Sequence, residues 1–65
     1  MTLQEAFALF RRLGVNAESI SRAEFGAAYL RLAKRYHPDA NPNGQELMAN
    51  LNAARRMILE SYRPG

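Results

Sequence analysis

A small all-α domain is what this 65-residue sequence predicts. Three observations carry that expectation. Apolar residues recur at spacings of three and four, the period of a helix face and not of a strand. A capping-box pattern, a capping side chain with Glu three residues on, opens three separate segments. The stretch RYHPDANPNG, from Arg35 to Gly44, holds the single histidine and two of the three prolines. It reads as the stop of one helix and the start of the next.

Thr2-Leu3-Gln4-Glu5 opens the first segment. Leu3, Phe7 and Phe10 recur on one face, and Gly14 suits the left-handed conformation that ends a helix. This places helix one near residues 2–13, with Val15 to Ile20 as a connection. Ser21-Arg22-Ala23-Glu24 opens the second, expected over 22–36. Phe25, Ala28, Tyr29, Leu32, Ala33 and Tyr36 form a near-complete apolar stripe. Arg31, Lys34 and Arg35 fall on the opposite side. Gly26 weakens this helix by about 1 kcal/mol relative to Ala and would suit a close helix approach. Pro38 stops it, because it has no N–H and disfavours helical geometry at His37.

Asn43-Gly44-Gln45-Glu46 opens the third segment, expected over 44–62. Met48, Leu51, Ala54, Ile58 and Tyr62 form its buried stripe, with Leu47 and Leu59 at the margins and Pro64-Gly65 as the stop. The intervening loop, 37–43, is short, so helices two and three should form an antiparallel hairpin with helix one across its open apolar side. The whole chain, 1–65, is expected to be one domain without a fourth helix.

Composition narrows the function. A chain this short buries only about 60% of its unfolded surface. With no cysteine and one histidine, neither disulfides nor a structural metal is expected to help, and no cofactor site is evident. No run approaches the roughly 20 apolar residues of a membrane span. The first residues carry Glu5 and no early Lys or Arg, unlike a secretory signal, so a cytoplasmic monomer is expected. Nine basic against six acidic side chains, net +3, favours an acidic partner.

His37-Pro38-Asp39 admits two readings from local chemistry. One is a helix stop followed by an ordinary turn. The other is a recognition loop, in which Pro38 stiffens a bend that presents an imidazole and a carboxylate able to pair bidentately with Arg. No nucleophile or oxyanion hole accompanies the pair, so no catalytic residue is assigned and an enzyme is not expected. Arg31, Lys34 and Arg35 are either a solvated face or a docking strip; no acid lies between Glu24 and Asp39 to neutralise them locally. Tyr29 and Tyr36 read as core residues with hydroxyls at the edge. Asn52 reads either as an exposed polar residue or as a buried amide bonded to the turn. Arg11-Arg12 and Arg55-Arg56 read as solvated, with their stems over apolar surface.

Taken together, Ala28 to Pro42 (AYLRLAKRYHPDANP) resembles the second helix and loop of J-domains, the DnaJ family of co-chaperones, whose pattern there is A-Y-x-x-L-A-x-x-Y-H-P-D-x-N-P. Leu13-Gly14-Val15 is similar to the family's L-G-V at the end of helix one. Met48, Leu51, Asn52, Ala54 and Ile58 follow its helix-three register. The resemblance implies a J-domain-like fold and a partner, the nucleotide-binding domain and linker region of a DnaK-type 70-kDa heat-shock chaperone. It implies that Arg31, Lys34 and Arg35 dock on an acidic surface and that His37, Pro38 and Asp39 trigger the partner's ATP hydrolysis. Ala40 stands where the family usually has Lys, and Arg55 where it often has Tyr. The connection between helices one and two looks about one residue longer. Two other classes stay open: a small basic three-helix DNA-binding domain, for which Gln45, Asn52 and Arg56 are thin base-reading candidates, and a J-like scaffold that no longer activates a chaperone.

Overall fold

The computed structural model describes residues 1–62. Three α-helices appear, α1 (Leu3–Arg12), α2 (Arg22–Tyr36) and α3 (Gly44–Ser61), with a single 3-10 turn at Ala17–Ser19. There is no strand among the described residues. The expected stop at Pro64-Gly65 lies outside the described residues.

Two of the three capping boxes form. The Thr2 backbone N–H donates to the Glu5 carboxylate at 2.6 Å, and the Glu5 N–H donates back to the Thr2 hydroxyl at 3.1 Å. Ser21 and Glu24 repeat the pair at 2.9 and 3.1 Å. Each arrangement satisfies a free donor at the helix start and sets a carboxylate near the positive end of the helix dipole. Both carboxyls are consequently held below their ordinary value, chiefly by the backbone N–H and then by the hydroxyl.

The third box does not form. Asn43 makes no side-chain cap hydrogen bond and has φ −96°, ψ 10°, outside the extended geometry the motif needs. Pro42 sets the reason, by turning the chain one residue earlier.

Helix α1 ends in a Schellman motif. The Val15 N–H donates to the Phe10 carbonyl at 2.9 Å and the Gly14 N–H to the Arg11 carbonyl at 3.0 Å, with Gly14 at φ +89°. That backbone conformation is nearly free for glycine and costly for other residues.

The core gathers Ala6, Leu9 and Phe10 from α1, Ala17 from the 3-10 turn, Phe25, Ala28 and Leu32 from α2, and Leu51, Ala54 and Ile58 from α3. The register of α1 differs from the expected stripe. Ala6, Leu9 and Phe10 are buried, while Leu3 and Phe7 are half-buried at the margin.

Pairings between α2 and α3 step in opposite directions along the two helices. Tyr36 abuts Gly44, the Tyr29 hydroxyl donates to Asn52, and Arg22 shares a groove with Leu59. The two helices are therefore an antiparallel hairpin. Helix α1 crosses it, lying mainly against α3 and reaching α2 through Phe10, whose ring meets Phe25 edge-on at 5.0 Å. Phe25 in turn lies 6.5 Å from the Tyr62 ring. The Tyr62 hydroxyl donates to the Ile20 carbonyl at 2.9 Å, which fastens the end of α3 to the α1–α2 connection. Burial, and then the charge of Glu24, raises the Tyr62 phenol above its ordinary value. Gly26 makes no close approach, since a Cβ there would meet nothing within 4 Å.

Candidate functional site at the hairpin loop

The loop joining α2 and α3 is two consecutive turns, each with proline at its second position. His37 to Ala40 closes by the Ala40 N–H on the His37 carbonyl at 2.9 Å, and the Asn41 N–H joins the same carbonyl at 2.8 Å. Asn41 to Gly44 closes by the Gly44 N–H on the Asn41 carbonyl at 2.8 Å. Proline pre-sets φ for this position, and Asn first and Gly fourth are favoured for their own chemistry. Asn43, third in the second turn, has the near-zero ψ of a type I turn, so it cannot also be an extended N-cap.

Asn41 braces the loop a second time. Its side-chain oxygen accepts the Asn43 N–H at 3.1 Å. Gly44 completes the closure by proximity: a Cβ there would stand 2.0 Å from the Tyr36 carbonyl oxygen and 3.1 Å from its carbon. The backbone entering the loop thus touches the backbone leaving it. Asn41 and Gly44 were not singled out as site residues from sequence. Their signal was the second Pro preceded by Asn and followed, two residues on, by Gly.

This frame presents His37 and Asp39 on a stiff bend. His37 has φ −58°, ψ 140°, the extended conformation that a following proline demands. Its Nδ1 accepts the Asp39 backbone N–H at 3.2 Å, which requires the ring proton on Nε2. Nε2 is therefore the donor nitrogen of a half-exposed ring. The same Nδ1 lies 3.6 Å from the Asp39 carboxylate. The Asp39 side chain is 95% exposed and that of His37 56%, so the carboxylate keeps nearly all its acceptor capacity for a partner. No nucleophile accompanies them, and no cluster of three or more metal-ligating side chains exists among the described residues.

Arg31, Lys34 and Arg35 are all exposed on α2 and run toward the loop. Among the described residues the one arginine or lysine paired with a carboxylate is Arg11, with Glu18, so the strip has no acid within pairing distance. Lys34 and Arg35 occupy the last turn of α2, where cations meet the negative end of the helix dipole. The Arg35 guanidinium lies 5.6 Å from the centre of the Tyr36 ring, a position that restrains it beside the loop. Tyr36 is half-buried and packs on the core. Leu30, next to this strip and off the apolar stripe, is 59% exposed. Asn52 is exposed and accepts from Tyr29, so it ties helix to helix and makes no bond to the turn.

The structure thus brings His37, Pro38 and Asp39 together at the loop, with Arg31, Lys34 and Arg35 along the helix that leads to it. No helix among the described residues is long and apolar enough to cross a membrane.

Two proteins of Schizosaccharomyces pombe (strain 972 / ATCC 24843) are similar to this chain. Protein psi1 is 38% identical over 55 residues, 85% of this chain and 14% of that protein. DnaJ homolog 1, mitochondrial, is 53% identical over 34 residues, 52% of this chain and 6% of that protein. The chain spans only a small share of the length of either relative. No protein-family model and no solved structure matches it. Part of the chain is therefore similar to a DnaJ homolog, on an all-helical fold consistent with a small J-domain.

Proposed function

We propose that this chain is a J-domain co-chaperone that docks on a DnaK-type 70-kDa heat-shock chaperone and stimulates its ATP hydrolysis. The observation that carries the reading is the double-proline loop. It holds an almost fully exposed Asp39 and an exposed His37 with its Nε2–H free to donate in one braced geometry, at the end of an unpaired basic strip. Similarity to a DnaJ homolog over half of the chain supports it.

Each residue has a role in this reading. Arg31, Lys34 and Arg35 steer an acidic face of the partner into register, since charge complementarity acts mainly on encounter rate. Pro38 removes loop freedom before binding and so lowers the entropy lost on docking. Asp39 pairs with a cation of the partner, and His37 donates from Nε2. The hydrolytic chemistry belongs to the partner; this chain supplies contacts and no reacting group. The same reading places the chain in the cytoplasm, which subcellular fractionation checks.

The test is single-turnover ATP hydrolysis by a DnaK-type chaperone with and without the chain. Acceleration that saturates with chain concentration is expected. Hydrolysis at the unstimulated rate, with binding intact, would instead make the chain a scaffold.

A further inference from the structure

A second basic surface lies away from the loop strip. Between the first turn of α2 and the second half of α3 is a groove of about 460 Å³, lined by Arg22, Asn52, Arg55, Arg56, Leu59 and Glu60. Arg31 follows Arg22 by nine residues on α2, which at about 100° per residue sets the two on opposite sides of the helix. One flat partner surface cannot cover both. We propose that this groove docks an acidic, extended segment of a protein partner, separately from the loop.

Three observations carry the proposal. The first is charge. Three arginines face one carboxylate, Glu60, and none of the three is within pairing distance of an acid among the described residues.

The second is preorganisation. The Arg55 guanidinium lies 5.0 Å from the centre of the Tyr29 ring, and the Tyr29 hydroxyl is itself bonded to Asn52. A side chain held this way has already lost much of the rotamer freedom that binding would otherwise remove, and the planar fork it presents matches a carboxylate. The Tyr that the J-domain pattern often has at this place would supply no charge. Arg55 here converts a packing position into a cationic one.

The third is the neighbourhood, which selects the kind of partner. Nucleic acid asks for a basic track that follows its backbone. Along the exposed face of α3 the sequence instead offers Gln45, Glu46, Ala49, Asn50 and Ala53, and the charge stops with the groove. Leu59, half-buried at the groove wall, adds an apolar contact. A short peptide bearing carboxylates and an apolar side chain fits that mixture.

The experiment titrates the isotope-labelled chain with a synthetic peptide alternating glutamate and leucine, following backbone amides by NMR. Shifts should concentrate at Arg22, Asn52, Arg55, Arg56 and Leu59, and weaken as salt is raised. The double variant Arg22→Gln with Arg56→Gln leaves the Arg55–Tyr29 stack intact and should bind about tenfold more weakly or worse, as loss of charge-assisted bonds does. Unchanged affinity in that variant would overturn the proposal. So would shifts confined to Arg31, Lys34 and Arg35, or an oligonucleotide displacing the peptide from the groove. Should the double variant lose its fold, the shift map on the parent chain decides.

Discussion

Replacing Gly44 with alanine tests whether the loop is held by its backbone or only by its side-chain chemistry. The added Cβ would stand 2.0 Å from the Tyr36 carbonyl oxygen. Real Cβ atoms essentially never come closer than 3.0 Å to such a neighbour, so something must move by at least the difference, 3.0 − 2.0 = 1.0 Å. No side chain can swing aside to relieve this, because the atoms in the way are the Tyr36 carbonyl oxygen and carbon, with the His37 carbonyl carbon at 3.5 Å. All are backbone, so α3 must shift away from the end of α2 or the first turn of α3 must unwind. Overpacking of this kind costs about 1–3 kcal/mol. The better helix propensity of alanine returns at most about 1 kcal/mol. The net loss is then up to about 2 kcal/mol, and for a domain of this size each kcal/mol is worth roughly 4–8 °C in Tm, so melting by circular dichroism should fall by up to about 16 °C. Stimulation of a DnaK-type chaperone should fall as well, although His37, Pro38 and Asp39 are unchanged. A Gly44→Ala chain that melts at or above the parent's temperature would refute the closure of the loop on Tyr36.

The remaining predictions concern core, docking and pH. Leu51 is fully buried, so Leu51→Ala should cost about 2–5 kcal/mol, enough to unfold much of so small a domain, and a parent-like urea midpoint would put Leu51 outside the core. Reversing Arg31 and Arg35 to Glu should slow association with the chaperone and flatten its salt dependence while helicity persists; stopped-flow rates unchanged across a salt series would remove the strip from the mechanism. Stability should fall at both pH extremes. Glu5 and Glu24 are lowered from 4.5, so their contribution is present above that pH and lost as pH falls. Tyr62 is raised from 10.0, so its contribution is present below that pH and lost as pH rises. Urea midpoints measured across pH should show both limbs, and Tyr62→Phe should flatten the alkaline one.

Local signals in the sequence were read well where they acted alone. Ser21 and Thr2 each had a Glu three residues on, and both boxes formed. Asn43 had the same spacing to Glu46, yet Pro42 had already committed it to the third place of a turn, where ψ is near zero. Two local rules competed, and the more rigid one won. On α1 the expected stripe held at Phe10, with Leu3 and Phe7 packed at the core margin, but it omitted Ala6 and Leu9, which are buried beside Phe10. The motif His37-Pro38-Asp39 was legible at once, but not the Nδ1 bond that aims its imidazole, nor the contact of Gly44 with Tyr36 that holds its frame. Tyr62 was placed on the buried stripe, yet its clamp on Ile20 spans 42 residues, and no periodicity encodes such a pairing. Asn52 and Arg55 both turned out to depend on Tyr29, a partner on another helix.

The central claim is that the loop acts on a chaperone through His37 and Asp39 and does more than turn the chain. The direct measurement is single-turnover ATP hydrolysis by a DnaK-type chaperone with the His37→Gln chain, beside its melting curve. His37 is exposed at a loop, so the substitution should shift stability by less than about 0.5 kcal/mol. Stimulation should nevertheless be lost, and Asp39→Asn should lose it too. A folded His37→Gln chain that stimulates hydrolysis as well as the parent would contradict the account.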